Sequence, residues 1–321
     1  MTLLENQTAG AATSSRRHGE TSNQLAPTKK KRQTGEPSLW YLVPAAVLFF
    51  GLAIIPLAGA VFLSFTKWSG LGDPKFIGLD NWLWFFQDPV TLTTLKISLL
   101  VMIGSWLVQT PISLLLGVWL AKNGGFRSFA GAIFFIPLLL SSAAVALAYK
   151  NLLDPNFGLA TQQGFTWLSH SWLGDRNTVL LVVVLVIAWH FIPLHTLLYQ
   201  GGVRQIPGSL YEAASLDGAG TIKQFFMITL PQLKYTIVTS STLLLVGSLT
   251  YFDLIFVMTA GGPGYETRVL PLHMYLTGFK AAEMGKASVI ATVLAVVGLL
   301  LSLLLTRLSG FTKMQSQQDG M

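Results

Sequence analysis

Six apolar stretches dominate this chain, at 40–65, 97–121, 128–149, 177–202, 235–260 and 287–306, and Asp253 is the one Asp, Glu, Lys or Arg in any of them. Each is long enough to cross a hydrocarbon core of about 30 Å, which takes about 20 residues at helical rise. Lipid offers no hydrogen bonds to a bare backbone, so such stretches must be helices or strands of a closed barrel. Barrel strands would alternate apolar and polar residues over about ten positions. These runs do not alternate, so the sequence predicts an all-α integral membrane protein with six transmembrane helices.

Composition agrees, with 52% hydrophobic and only 11% charged residues. Soluble domains carry about 25% charged residues. Cysteine is absent, which excludes disulfides and thiol chemistry. The net charge of +7 need not mean nucleic acid. With both termini inside, thirteen of the 21 Lys and Arg fall on the cytoplasmic side and eight outside. Six of the thirteen lie in the N-terminal tail, so the tail decides the N-in/C-in orientation expected from the positive-inside rule. Residues 1–36 are polar and basic and read as a disordered cytoplasmic tail, with "KKKR" at 29–32 as a topogenic anchor. Residues 37–310 form the transmembrane domain, and 311–321 a second cytoplasmic tail.

The outer loop 66–89 holds Trp68, Trp82, Trp84, Phe85 and Phe86, and flanking tryptophans sit at headgroup level. Six residues join the second and third stretches, which makes those helices antiparallel neighbours. The longest inner loop, 203–234, is polar. Within it Ser209 and Glu212 have the spacing of a capping box. Gly218 and Gly220 then suit a turn, and Thr221 could cap a second short helix. Ile222, Phe225 and Phe226 share one face of that helix, and Pro231 should end or bend it. The product is a pair of short helices with an apolar face and a polar one bearing Glu212, Asp217 and Lys223. Such a pair suits either a groove on a partner or a lipid surface.

The same segment carries Glu212, Ala213 and Ala214, then Gly218, Ile228, Leu230 and Pro231 at fixed spacing. It resembles the EAA motif of ABC importer permeases. "FIGLDNW" at 76–82, "DPNFGL" at 154–159, "YFDLIFVMTAGGPGYET" at 251–267 and "GFKAAEMGKAS" at 278–288 are similar to the carbohydrate-uptake branch of that family. The resemblance implies an ABC importer permease fold with a cytoplasmic coupling helix. It implies that Glu212, Ala213, Ala214, Asp217, Gly218, Ile228, Leu230 and Pro231 engage a separate ATPase. The implied partners are a second permease in a heterodimer, an ATPase dimer and an extracytoplasmic sugar-binding protein. The setting is membrane lipid of a bacterial or archaeal plasma membrane, with no role for nucleic acid. ATP and Mg would be bound by the partner ATPase, and this chain is expected to hold no cofactor or metal. Its one "GK", at 285–286, lacks the spacing of a P-loop, so no catalysis is expected here.

For the substrate path, Trp189, Tyr251, Phe252 and Asp253 are the candidates. An ionisable group within a span is a functional hypothesis, and aromatic rings near interrupted helices suit sugar stacking. His190 and His195 read as hydrogen-bonding links between helices. Other solutes, such as glycerol phosphate, an amino acid or a peptide, stay open at this point. An ion-coupled secondary transporter fits less well, since the spans hold no charge pairs.

Overall fold

The computed structural model describes residues 39–161, 165 and 169–308, so the two tails lie outside the described residues. The described residues up to 49 and those from 50 onward belong to two separate units. In the first, a 3-10 turn at Leu39–Leu42 leads into α1 (Val43–Phe49). The second begins with a π-helical turn, Phe50–Ile54, and α2 (Ile55–Ser64). Then follow β1 (Thr66–Lys67), β2 (Lys75–Phe76), α3 (Asp80–Gln87) and α4 (Pro89–Ala121). The third stretch is α5 (Gly125–Leu139) with α6 (Ser142–Leu152), and the fourth is α7 (Val179–Arg204). Beyond the inner loop come α11 (Lys234–Ser248), α12 (Asp253–Thr259), α13 (Leu270–Tyr275) and α14 (Met284–Leu308).

By length and apolarity four helices can cross a membrane, Trp40–Ser64, Pro89–Ala121, Val179–Arg204 and Met284–Arg307. The third and fifth stretches are not the unbroken spans expected. The first of them bends by 96° between α5 and α6, the second by 49° between α11 and α12. If each bent pair counts as one span, the total is six. The causes are local. Pro137 lies in the last turn of α5, Leu140 and Ser141 turn extended, and Ser141 Oγ accepts the Ala144 N–H at 3.2 Å to start α6. At the end of α11, Ser248 donates to Leu245 O at 2.7 Å and Thr250 to Gly247 O at 2.7 Å. Hydroxyls that back-bond to helix carbonyls bend helices. The fold also departs from all-α in one place, since β1 and β2 pair antiparallel, Thr66 opposite Phe76.

Tight packing of α4 on α7 organises the bundle. A Cβ on Gly117 would lie 2.6 Å from Tyr199 Cβ and 3.0 Å from Gln200 N. With a hydrogen there instead, the backbones can approach, the usual device of membrane helices. Gln200 Nε2 donates to Leu120 O at 3.0 Å and Ser113 Oγ to Ile192 O at 3.2 Å. Trp106 Nε1 reaches Ser241 Oγ on α11 at 2.9 Å, and His195 Nδ1 lies 2.9 Å from Ser240 Oγ. His195 is thus the inter-helix link expected. The short connection of α4 to α5 does bring the two helices into contact, as expected, but both pack more extensively on α7.

A hydrophobic cluster forms around Phe85, Leu270 and, from α14, Val289 and Ile290, with Trp82 and Trp84 packed against it. Phe85 is thus a core residue. Asn81 Nδ2 donates to Ser64 O at 3.0 Å and Thr66 O at 2.8 Å, while Trp82 Nε1 reaches Ser64 Oγ at 3.1 Å. Gly285, at the start of α14, sits against the Thr66 carbonyl, where any side chain would collide. These contacts pin the end of α2 and the segment 66–89 to α14.

Candidate functional site: a helical hairpin and a cavity at a broken span

The polar segment 203–234 folds as α8 (Gly208–Leu216), a glycine turn and α9 (Thr221–Gln224). Gly218 takes φ +73°, in the left-handed region that favours glycine. The expected capping boxes are absent. Pro207, with φ −58°, stands at the N-cap of α8 and no side chain caps it, so Ser209 lies inside the first turn. Gly220 precedes α9 in the same way, and Thr221 is its first residue. Pro207 is extended, with ψ 129°, and carries no side-chain acceptor, so the first-turn N–H groups of α8 go without a side-chain cap.

Pro231 does not stop the helix either. After α9 a π-helical turn, Phe225–Thr229, runs into α10 (Leu230–Gln232), and the break comes at Leu233. A widened turn relieves the clash of a proline ring with the carbonyl four residues back. Glu212, Ala213, Asp217, Gly218 and Pro231 are exposed, while Ala214, Ile228 and Leu230 are half-buried. Around them Leu216, Ile222, Phe226 and Met227 are exposed at 60–90%.

Hydrogen bonds across the turn make the hairpin one body. The hydroxyls of Tyr211 and Thr229 lie 2.9 Å apart, and Thr229 is buried. Gln224 Nε2 donates to Ser215 Oγ at 3.0 Å and Ala219 O at 2.9 Å, and Ser215 Oγ donates to Tyr211 O at 2.8 Å. None of these partners was singled out in the sequence. A Tyr before "EAA" and a Gln at the end of α9 were the only signals available.

The second candidate region is a cavity of about 290 Å³ at the break between α11 and α12. Tyr251, Phe252 and Asp253 line it together with Ser142, Phe191 and His195. Phe191 and Tyr251 stack at 5.3 Å with an interplanar angle of 19°. Asp253 opens α12 and is exposed. Trp189 does not belong to this group. It is 42% exposed and meets Tyr149 edge-on at 5.4 Å. Two residues along a helix turn a side chain by about 200°, so Phe191 takes the inward position instead. His190 is buried and lies 3.3 Å from Ser142 Oγ. A larger cavity of about 720 Å³ lies between α11, α13 and α14, and its wall is mostly apolar. Sugar hydroxyls need more polar partners than that wall supplies.

Residues 109–311 match the family described as the binding-protein-dependent transport system inner membrane component. The chain belongs to that family. Other family members show the same correspondence over most of their length. The probable ABC transporter permease protein YurN of Bacillus subtilis is 37% identical over 271 residues, which is 82% of this chain and 92% of that protein. The diacetylchitobiose uptake system permease protein NgcF of Streptomyces coelicolor is 30% identical, over 84% of this chain and 81% of its own. In fold, this inner membrane component resembles a chain in the crystal structure of a bacterial alginate ABC transporter in complex with an alginate pentasaccharide-bound periplasmic protein. The TM-score is 0.75 at 23% identity, covering 86% of this chain and 94% of that one. Family and apolar helices together make it a multi-pass membrane protein of the ABC permease class.

Proposed function

We propose that this chain is the permease subunit of an ATP-driven, binding-protein-dependent sugar importer and forms half of the translocation path. The observation that carries the reading is the hairpin of α8 and α9, which presents Glu212, Ala213 and Asp217 to solvent on a hydrogen-bonded, rigid base. A short helix with an exposed acidic and apolar surface suits a groove on a partner. In this reading Glu212 makes the polar contact to the ATPase and the small Ala213 and Ala214 allow close approach. Gly218 supplies the turn, and Ile228, Leu230 and Pro231 join the hairpin to the bundle. ATP and Mg are held by that separate ATPase, and this chain performs no hydrolysis.

The chain then crosses a bacterial or archaeal plasma membrane six times, N-in and C-in, with the bent pairs as the third and fifth spans. Residues 37–310 are the permease domain, and both tails are cytoplasmic. A second permease completes the cavity, and a sugar-binding protein docks outside. Names among the relatives support sugar as cargo, since diacetylchitobiose and arabinooligosaccharide uptake permeases are both similar to this chain. The cavity at the α11–α12 break has the matching chemistry, stacked rings beside hydroxyls and a carboxylate. When the ATPase closes, a rigid hairpin transmits the displacement to α7 and α11, and the cavity changes its side of access.

The reading is tested by purifying the tagged chain from its native membrane. An ATPase and a second permease should co-purify, and vesicles of the complex should take up labelled oligosaccharide only with ATP and binding protein. A lone homodimer that transports without ATP contradicts the proposal.

A further inference from the structure

A hollow of about 290 Å³ opens where the ends of α4 and α7 meet the hairpin. Its floor includes Val118, Val203 and Phe225, and Lys122, Arg204 and Thr221 stand on its wall. No Asp or Glu lines it. Among the described residues the ion pairs are His170 with Asp175 and Lys286 with Glu283, so neither cation here has a carboxylate partner. Lys122 and Arg204 both line the hollow and bring positive charge to it. Lys122 directly follows α4 and Arg204 ends α7. Both therefore lie at the polar boundary of the membrane, where basic pockets between helices take up lipid headgroups.

We propose that this hollow binds a phosphate anion, as an anionic phospholipid headgroup or as free phosphate. Lys122 and Arg204 supply the charge, with guanidinium geometry suited to two phosphate oxygens. The Thr221 hydroxyl adds a donor, and the apolar floor accepts the first methylenes of a lipid chain. Tyr211 and Thr229 also border the hollow but already bond to each other. Because the hairpin forms one wall, an occupied hollow braces α8 and α9 against the bundle. The anion site stands on the cavity and its charges alone. Only its effect on transport rests on the coupling role proposed above.

The test uses the full-length chain, with whatever subunits co-purify, examined by native mass spectrometry. Phosphatidylglycerol, phosphatidylcholine and inorganic phosphate are the probes. The wild type should retain phosphatidylglycerol over phosphatidylcholine, or else bind inorganic phosphate, and those two results separate the lipid from the free-anion source. The Lys122→Gln, Arg204→Gln double variant should bind the anion about tenfold more weakly. The exchange Lys122→Arg with Arg204→Lys should bind as the wild type does. Each Gln variant alone should show part of the loss, which keeps the test readable if the double variant does not accumulate. Equal anion retention in wild type and Gln variants overturns the site, as does the absence of both lipid preference and phosphate binding. Either failure leaves ATPase co-purification untouched, so it is told apart from a failure of the transport reading.

Discussion

The phenol of Tyr211 and the hydroxyl of Thr229 lie 2.9 Å apart, joining α8 to the π-helical turn 18 residues away. One such bond contributes about 1 kcal/mol. Without it the glycine turn at Gly218 is free to act as a hinge. Tyr211→Phe should therefore loosen the hairpin while leaving the spans intact. Limited proteolysis of the purified protein should cut faster between Leu216 and Thr221, whereas Thr229→Ser, which keeps a hydroxyl for Tyr211, should stay as resistant as the wild type. Unchanged cleavage in Tyr211→Phe would show that the bond does not hold the hairpin.

Gly117 packs on Tyr199 with no room for a methyl group. Gly117→Leu should force α4 off α7 and cost about 1–3 kcal/mol, the usual penalty of overpacking. The check is the thermal unfolding midpoint in detergent. Gly201, which has open space around it, is the control, and Gly201→Ala should leave the midpoint near the wild-type value.

Much of the fold was legible before any coordinates. Long apolar runs announce themselves because lipid demands them, and continuous helices cover the first, second, fourth and sixth runs, the second starting well before its run, at Pro89. The breaks in α5–α6 and α11–α12 were not legible. Pro137, Ser141 and Thr250 sit in windows whose mean apolarity stays high, and a mean does not register where hydrogen bonding fails. The spacing of Ser209 and Glu212 suggested a cap, but α8 already begins at Gly208, which places Ser209 inside its first turn. In the hairpin segment the polar face of Glu212, Asp217 and Lys223 was legible from residue order, and all three are exposed. The clasp was not, because Tyr211–Thr229 and Ser215–Gln224 are pairings across a turn whose angle only the folded chain defines. Trp189 and Phe191 differ by helical phase alone, and that phase depends on neighbours the sequence does not name.

Between α4 and α13, Thr91 Oγ1 donates to Asp88 Oδ2 at 2.8 Å and lies 3.1 Å from His273 Nε2. The single hydroxyl proton is committed to Asp88, so the histidine must donate from Nε2. Burial, helped by the charge of Arg268 and opposed by Asp88, holds the His273 pKa at about 4. An unfolded histidine titrates near 6.5. Between these values the unfolded chain binds the extra proton, so stability is full above pH 6.5 and falls as pH drops towards 4. Moving from pH 7 to pH 5 should cost about 2 kcal/mol through this residue. His273→Gln should flatten that dependence, as read from unfolding midpoints at the two pH values. An equally steep loss in the variant would assign the pH sensitivity elsewhere.

At the α11–α12 break the stacked pair Phe191 and Tyr251 should carry part of the contact with cargo. Tyr251→Ala should raise the KM for oligosaccharide uptake about three- to tenfold, in keeping with the worth of one aromatic stack. Trp189→Ala should leave KM unchanged, because that ring lies on Tyr149 outside the cavity. The opposite ranking would move the substrate path to the other face of α7.

The central claim is that the hairpin receives work from an ATPase, and Glu212→Ala in the assembled complex addresses it most directly. Uptake of labelled oligosaccharide and ATP hydrolysis are measured side by side in vesicles, with membrane insertion checked by the amount of chain recovered. The account predicts normal insertion and uptake reduced by about tenfold or more, the equivalent of losing one charge-assisted contact. Wild-type uptake and coupled hydrolysis in Glu212→Ala, and likewise in Gly218→Pro, would contradict it.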